Sequence, residues 1–442
     1  MVDRRDVSPA SSGSLIRAVV MRTSTMRRLD GTLGRAACRL LTLARRLAGP
    51  DRCPDGPPER ILLIKFAEQG ATVVAHPAIV RAAQLVGPQD LHMVVFAENR
   101  FIVDELGVIP QQNVLTVRST NLAAMALDLV RVLVAMRRRH IDTTVDLESF
   151  SRLSAIVAYL SGARRRVGLH SFRGEGPDRG DLLTHRIAAN ARLHASDAFL
   201  VLVEASTLGP DRLPTLDLPS VADLASGQPA PPRIHPTPDE VARVRAMVSA
   251  RLAVPDIPRL VLLNPSAGDL EPLRRWPARR YVQLAQVLLQ RVPDISILLT
   301  GSTSEAPEVE EVQWAIGSAR CASVAGATTL RELLVLYTLS EVLVTNDSGP
   351  AHYAALTPVE VVTLFGPETP SVFGSRSPRN RHLSADVPCS PCLNVFNGRR
   401  SDCTDNICMQ RITLDSVAEV VLDLLGSEQR AFRPGGDVAL AP

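Results

Sequence analysis

Lysine is almost absent from this chain. Of 49 basic residues one, Lys65, is a lysine and the other 48 are arginines. An arginine bias that runs through a whole chain weakens any single arginine as a mark of a phosphate site. Aromatic residues make up only 4%, too few for the stacking platforms on which single-stranded nucleic acids lie. The net charge of +3 is also too small for a nucleic-acid footprint, so no nucleic-acid partner is expected. No apolar run reaches the roughly 18 residues of a membrane-spanning helix. The N-terminal apolar pieces are broken by arginines and lack a secretory h-region, which makes a cytoplasmic location the expectation. A Gly-x-Gly-x-x-Gly after the first strand and a Gly-Lys-Ser/Thr loop are both missing. Dinucleotide-dependent dehydrogenases and P-loop enzymes lose support accordingly.

What is present is length and alternation. A chain of 442 residues is too long for one ordinary core and suggests two domains. Residues 1–58 stand apart, with eleven arginines and few acids. Within them "TLGRAACRLLTLARRLAG" (32–49) can form a helix with Leu33, Leu40, Leu41, Leu43 and Leu47 mostly on one side. A basic amphipathic helix can lie on an anionic membrane surface, here the inner face of the cytoplasmic membrane. The other reading is a disordered or loosely packed extension. "GPDRCPDGPPER" then marks a boundary.

From there strands and helices alternate. Buried-strand runs fall at 61–67, 91–97, 141–147 and 165–169, with helices at 71–86, 121–139 and 151–162. A proline-rich stretch, 224–240, reads as a linker between a first domain, 59–223, and a second, 241–427, with a tail at 428–442. The second domain repeats the alternation, with strands at 259–264, 295–301, 341–346 and 359–366 and helices at 279–292, 309–319 and 329–340. This pattern indicates α/β architecture: two doubly wound parallel sheets in series with a cleft between them.

Ligands of open α/β sheets bind beyond the carboxyl ends of strands. Two such ends in the second domain are polar. "LLNPSAGDLEPLRRWP" (262–277) places Asn264 and Ser266 after one strand and Arg274 and Arg275 before the next helix. "TNDSGPAH" (345–352) places Asp347, Ser348 and Gly349 before a helix starting near Pro350, with His352 in its first turn. A helix start offers free N–H groups to an anion, glycine allows close approach, and two guanidinium forks complete a diphosphate clamp. The plainer alternative is a capped helix start.

These residues resemble a known family. "NDSGPAHYAAL…VTLFGP" looks like the signature of the bacterial heptosyltransferases, glycosyltransferase family 9. "NPSAG…RRWPARRYVQLA", "ILLIKFAEQGATVVAHPAIVRAA" and "DTTVDLESFSRLSAIVAYLSGARRRVGL" resemble its other motifs, in the family's order, over residues 60–425. The resemblance implies a GT-B fold, with two Rossmann-like domains facing a central cleft, acceptor side N-terminal and nucleotide-sugar side C-terminal. It implies inverting sugar transfer without a catalytic metal or other required cofactor, from a nucleotide-diphosphate sugar such as ADP-heptose to a cell-envelope glycan or lipid-linked acceptor. By position, Ser266, Arg274, Asp347, Ser348, Gly349 and His352 would hold the donor. Lys65 would steady a phosphate, orient the loop or serve as a plain strand-end lysine. One departure stands out: the family's loop aspartate is replaced by Ala71. Glu68, in the same loop, is the nearest carboxylate able to act as base if the loop turns it into the cleft. Otherwise it is a solvated loop residue and the protein uses another base, or none; with alanine at 71 the alternative to an enzyme is a non-catalytic nucleotide-sugar-binding or scaffold protein.

Four cysteines cluster in segment 389–408: Cys389, Cys392, Cys403 and Cys408. In a cytoplasmic chain such a cluster suggests a structural zinc site over disulfides. Reduced, unliganded thiols are the alternative.

Overall fold

The computed structural model describes residues 21, 23–49, 51, 53, 56–174, 176–210, 230–268 and 272–430. Residues 1–20, the beginning of the expected linker and the tail beyond 430 lie outside them. The first domain carries strands β1 (Ile61–Ile64), β2 (Leu91–Phe96), β3 (Val114–Val117), β4 (Thr143–Asp146), β5 (Arg165–His170) and β6 (His185–Ala188). The second carries β7 (Arg259–Asn264), β8 (Ile295–Leu299), β9 (Cys321–Ser323), β10 (Val342–Asn346), β11 (Glu360–Phe365) and β12 (Asn380–Ser384).

All pairings are parallel, in the orders β3-β2-β1-β4-β5-β6 and β12-β11-β10-β7-β8-β9. Read along its own chain, each sheet has the same doubly wound order. Its switch point, where the winding reverses, lies between β1 and β4 in one and β7 and β10 in the other. The central strands ILLI, LHMVVF and VLVTN are buried along their whole length, because helices cover both faces of a parallel sheet.

The expected helix 71–86 is two helices, Gln69–Val74 and His76–Val86, broken at Ala75. Pro77, which has no N–H to donate, sits in the first turn of the second, where that loss costs nothing.

The leucine-rich segment before residue 58 is helical and docked. Thr23–Leu29 continues through a π-helical turn, Asp30–Gly34, into the helix Arg35–Ala48. Asp30 accepts the N–H groups of Arg152 and Leu153 at 2.9 and 2.9 Å, capping the helix Arg152–Leu160 from outside. Cys38 is buried against Ala155 and Leu182. Arg45 pairs with Asp51 and Asp181 at 2.6 and 2.7 Å. Gly180, at φ +68°, lies against Thr42 and Cys38, with no room for a side chain. This segment is therefore part of the first domain and neither a disordered nor a loosely packed extension.

The two domains touch directly. His194 Nδ1 accepts the Ser196 N–H at 3.2 Å, so its Nε2 carries the proton donated to the Gly374 carbonyl at 2.9 Å. Arg376 forms a two-pronged pair with Asp197 at 2.7 and 2.6 Å. Arg331 reaches Glu105 at 2.9 Å, and from the linker the Ile234 N–H donates to the Leu356 carbonyl of the second domain at 2.9 Å.

Candidate functional site

The site forms where the two switch points face each other. On the second-domain side, Asn346 ends β10. Its Nδ2 donates to the carbonyls of Pro265 and Ser266, both at 3.1 Å, and its Oδ1 accepts the Trp276 N–H at 2.9 Å. One side chain thus pins the chain after β7 to the end of β10. Asp347 follows, buried, with its N–H on the Leu364 carbonyl.

Arg274 lies over this junction. Its Nη1 donates to the Asp347 carbonyl at 3.1 Å, and its Nη2 stands 3.5 Å from Glu368 Oε2. Burial and the neighbouring charge of Glu368 push the Asp347 carboxyl well above its usual range, against the pull of Arg274 and Arg399. Asp347 therefore holds its proton to higher pH than a free aspartate does. The expected partner arginine turns away: Arg275 binds Glu308 at 3.0 Å and the Gly268 carbonyl at 3.2 Å, so the two adjacent arginines do not form a clamp. The second guanidinium of the site comes from the cysteine-rich segment. Arg399 Nε is 3.2 Å from Glu368 Oε1, its Nη1 is 3.5 Å from Glu68 Oε1, and its guanidinium stacks 4.3 Å above the Phe373 ring. Arg399 holds a left-handed backbone, φ 56°, a conformation that costs energy outside glycine.

The short helix Gly349–Tyr353 follows Asp347. Ser348 is extended, makes no side-chain cap bond and donates instead to the Asn346 carbonyl at 3.1 Å. The capped-start reading therefore fails at its own residue. Gly349 is packed so closely on the Tyr353 ring that a Cβ would overlap it. His352 is largely buried, with Nδ1 lacking a hydrogen-bond partner. Burial and then the positive surroundings of His194, Arg274 and Arg399 hold its pKa down at about 4, leaving it neutral. Ser266 is buried and lines a separate cavity of about 470 Å³ with Arg275, Trp276, Asn406 and Gln410. It joins the cluster through its carbonyl on Asn346, and its hydroxyl is not among the groups that converge there.

From the first domain, β1 is followed by Lys65, 2% exposed, whose Nζ donates to the Ala67 carbonyl and stands 3.3 Å from Glu148. Lys65 thus orients the loop. Glu68, φ 66°, precedes the helix Gln69–Val74, and its side chain is 41% exposed to the cleft. Desolvation raises its pKa, but the charges of Arg399, Lys65, Arg274 and Arg27 outweigh it and hold the carboxyl at about 2. Gly70 sits against the other domain: a Cβ there would lie 3.0 Å from the His352 ring and 3.1 Å from Gly349 Cα. The loop of one switch point and the helix of the other are in van der Waals contact. Ala71 stands in the following helix with no group to titrate.

Cys389 and Cys392 lie close enough to Cys408 to raise its pKa, after the effect of burial. Among the described residues no group of three or more His, Cys, Asp or Glu side chains is arranged to hold a metal. Cys408 is buried, Cys389 and Cys403 are exposed, and all four are free thiols. Cys403 Sγ accepts the Asn406 N–H at 3.3 Å.

Sequence reasoning missed Arg399 and Glu368. Glu368 follows the "LFGP" strand end and carried a local signal, a carboxylate at the end of a buried strand. Arg399 carried none, because it arrives from a distant irregular segment.

The chain matches the model of glycosyltransferase family 9 (heptosyltransferase) over residues 131–398. It is 31% identical over 145 residues to lipooligosaccharide heptosyltransferase 2 of Haemophilus ducreyi, covering 32% of this chain and 41% of that one. It is 33% identical over 106 residues to lipopolysaccharide heptosyltransferase 2 of Salmonella typhimurium, covering 23% and 30%. The matched segment thus spans less than half the length of these relatives. In structure it resembles Escherichia coli ADP-heptose heptosyltransferase II, with a TM-score of 0.64 at 19% identity over 84% of this chain and 99% of that one. A family 9 glycosyltransferase from Veillonella parvula gives 0.63 at 16% identity over 85% and 99%. The fold is GT-B, and with 268 consecutive residues inside the family model the chain belongs to glycosyltransferase family 9.

Proposed function

We propose that this chain is an inverting glycosyltransferase that needs no metal for the chemical step. It moves a sugar from a nucleotide-diphosphate sugar to a hydroxyl of a cell-envelope glycan or lipid-linked acceptor. ADP-heptose is the proposed donor, in keeping with the names of its relatives.

One observation carries the reading. Arg274 Nε, Asp347 Oδ2 and His352 Nδ1 are buried without hydrogen-bond partners around one strand-end junction. Buried polar atoms are ordinarily paired; diphosphate oxygens can accept from Arg274 Nε and from a proton on His352 Nδ1, and a sugar hydroxyl can donate to Asp347 Oδ2. Glu68 takes the proton from the acceptor hydroxyl as its oxygen attacks the anomeric carbon. The bond from that carbon to the diphosphate oxygen breaks on the opposite face, so the configuration inverts. Arg274, Arg399 and a ring N–H of His352 meet the charge that builds on the leaving diphosphate, the largest electrostatic demand of the step. Two guanidinium groups here supply the charge that a divalent ion supplies elsewhere.

A second reading rests on a specific observation. Glu68 is paired with Arg399 and held at about 2, which makes it a weak base while that pair persists, and the chain would then bind a nucleotide sugar without turning it over. Thermal shift against a panel of nucleotide sugars, followed by mass spectrometry of products, separates the two. Transfer that Glu68→Gln lowers by about 100-fold or more with donor binding kept supports the enzyme. Binding with no turnover by any acceptor supports the second reading, and no binding at all rejects both.

A further inference from the structure

The helices Arg35–Ala48, Arg152–Leu160 and Leu122–Arg138 cover one face of the first sheet. Val132 and Met136 pack on Leu62, Ile64 and Val94 from the last of these, and Val157 and Ala158 join the same cluster. Arg35–Ala48 extends the layer through Cys38 and Leu41 against Ala155 and Ile156. The outer side of this layer is apolar in two stripes. Leu33, Leu40, Leu43 and Leu47, at helical spacing, are between 57% and 81% exposed. Leu127, Val130 and Val134 repeat the pattern on the other helix, between 42% and 57% exposed. A soluble surface rarely leaves such stripes uncovered.

Charge identifies the cover. Arg28, Arg35, Arg39, Arg46, Arg131 and Arg138 are exposed beside these stripes. The three helices contain a single acid, Asp128, which is buried and already paired with Arg118 and Arg131 at 2.7 and 3.1 Å. A second copy laid face to face would set arginines against arginines. Residues 1–20 carry Asp3 and Asp6 against Arg4, Arg5 and Arg17, so they bring no surplus of negative charge either. An anionic lipid surface meets both requirements, accepting leucine and valine at the acyl boundary and arginine among the headgroups.

We propose that the outer face of this helix layer, with both stripes together, docks the first domain on an anionic bilayer. The inference is independent of sugar transfer, since vesicle binding needs no donor. It goes beyond a single amphipathic helix, because Leu122–Arg138 supplies the second stripe and fixes which side of the domain faces the lipid.

Flotation of the full chain tests it, with vesicles of phosphatidylethanolamine and phosphatidylglycerol against vesicles of phosphatidylcholine. Binding to the first, weakening as salt rises, is expected. Arg35→Gln/Arg39→Gln/Arg46→Gln should weaken it about 100-fold, at about fivefold per arginine. Leu40→Glu/Leu43→Glu and Val130→Glu/Val134→Glu should each lower it at least about tenfold with the melting temperature kept. Footprinting of the wild-type chain should show both stripes protected by anionic vesicles, which covers a variant that fails to fold. Equal binding to both vesicle types, no binding, or self-association blocked by the same substitutions would overturn the proposal. So would wild-type binding by Val130→Glu/Val134→Glu together with no protection of that stripe.

Discussion

The two sheets share one winding order, yet the aspartates at their switch points are in opposite states, although Arg179 Nε at the first is also buried without a partner. At the first, Lys65 is closed between the Ala67 carbonyl and Glu148. Asp146 accepts from Ser154 Oγ at 2.7 Å, the Glu148 N–H at 3.0 Å and Arg179 at 2.5 Å. At the second, Asn346 satisfies the backbone, but Arg274, Asp347 and His352 each leave a buried polar atom open. Saturation makes a rigid frame, whereas an open valence in the same fold position leaves room for a ligand. Duplicated topology therefore does not imply duplicated use.

The comparison can be broken at its rigid half first. Lys65→Met strands the carboxylate of Glu148, which burial already pushes above its usual range. A loss of about 3–5 kcal/mol in stability is expected from denaturant unfolding. Lys65→Met/Glu148→Gln should recover most of it and still bind donor, since this pair is a frame. Loss of donor binding in the refolded double variant would contradict that role.

At the open half the balance reverses. Arg274→Ala should cost about 100- to 1000-fold in kcat/KM, the usual effect of removing one transition-state donor, while the melting temperature moves little. A large fall in stability with normal turnover would show that Arg274 is frame as well.

Contact between the halves gives a smaller test. Gly70→Ala places a methyl 3.0 Å from the His352 ring and must push the domains apart by a few tenths of an ångström. A drop of about tenfold in kcat/KM is expected, because a small misplacement of reacting groups is costly. Unchanged kinetics would mean that the domains close differently around substrate.

The smallest expected effect is on pH dependence. Asp347 holds its proton to higher pH in the folded chain than in the unfolded one. The folded state therefore binds more protons as pH rises above the ordinary aspartate value of about 3.9, and stability falls over that window. Asp347→Asn removes the loss. The melting temperature at pH 8 should rise by about 2–4 °C, the shift that accompanies roughly 1 kcal/mol in a domain of this size. Donor affinity should fall. An unchanged melting temperature across pH would count against a raised pKa at Asp347.

Eight strand runs are legible from apolar stretches and from the alternation of elements, and all eight are present. The four strands that escape such reading, β3, β6, β9 and β12, are the four edges of the two sheets. Covered on fewer sides, they are short or half-exposed, as in β6 and β12, and their composition does not separate them from loops. In the site, "TNDSGPAH" and "RRWP" were legible because local residue types at a strand end carry the information. The division of labour between Arg274 and Arg275 was not, because Arg274 closes the short 3-10 turn Pro272–Arg274 and Arg275 follows it in irregular chain, so the backbone path decides which guanidinium reaches the cleft. The spacing of the four cysteines suggested a metal that their geometry does not gather.

The sequence by itself determined the alternation, the two doubly wound sheets and the polar strand ends, because periodicity and local residue type act over a few neighbours. Tertiary structure alone decided three other things. The N-terminal helix completes a layer of the first domain, Arg399 arrives at Glu68 and Glu368 from the far end of the chain, and Gly70 meets His352 across the cleft. Apart from Arg399–Glu368, each joins residues more than a hundred positions apart, and contacts of that range leave no periodic trace in the chain that makes them.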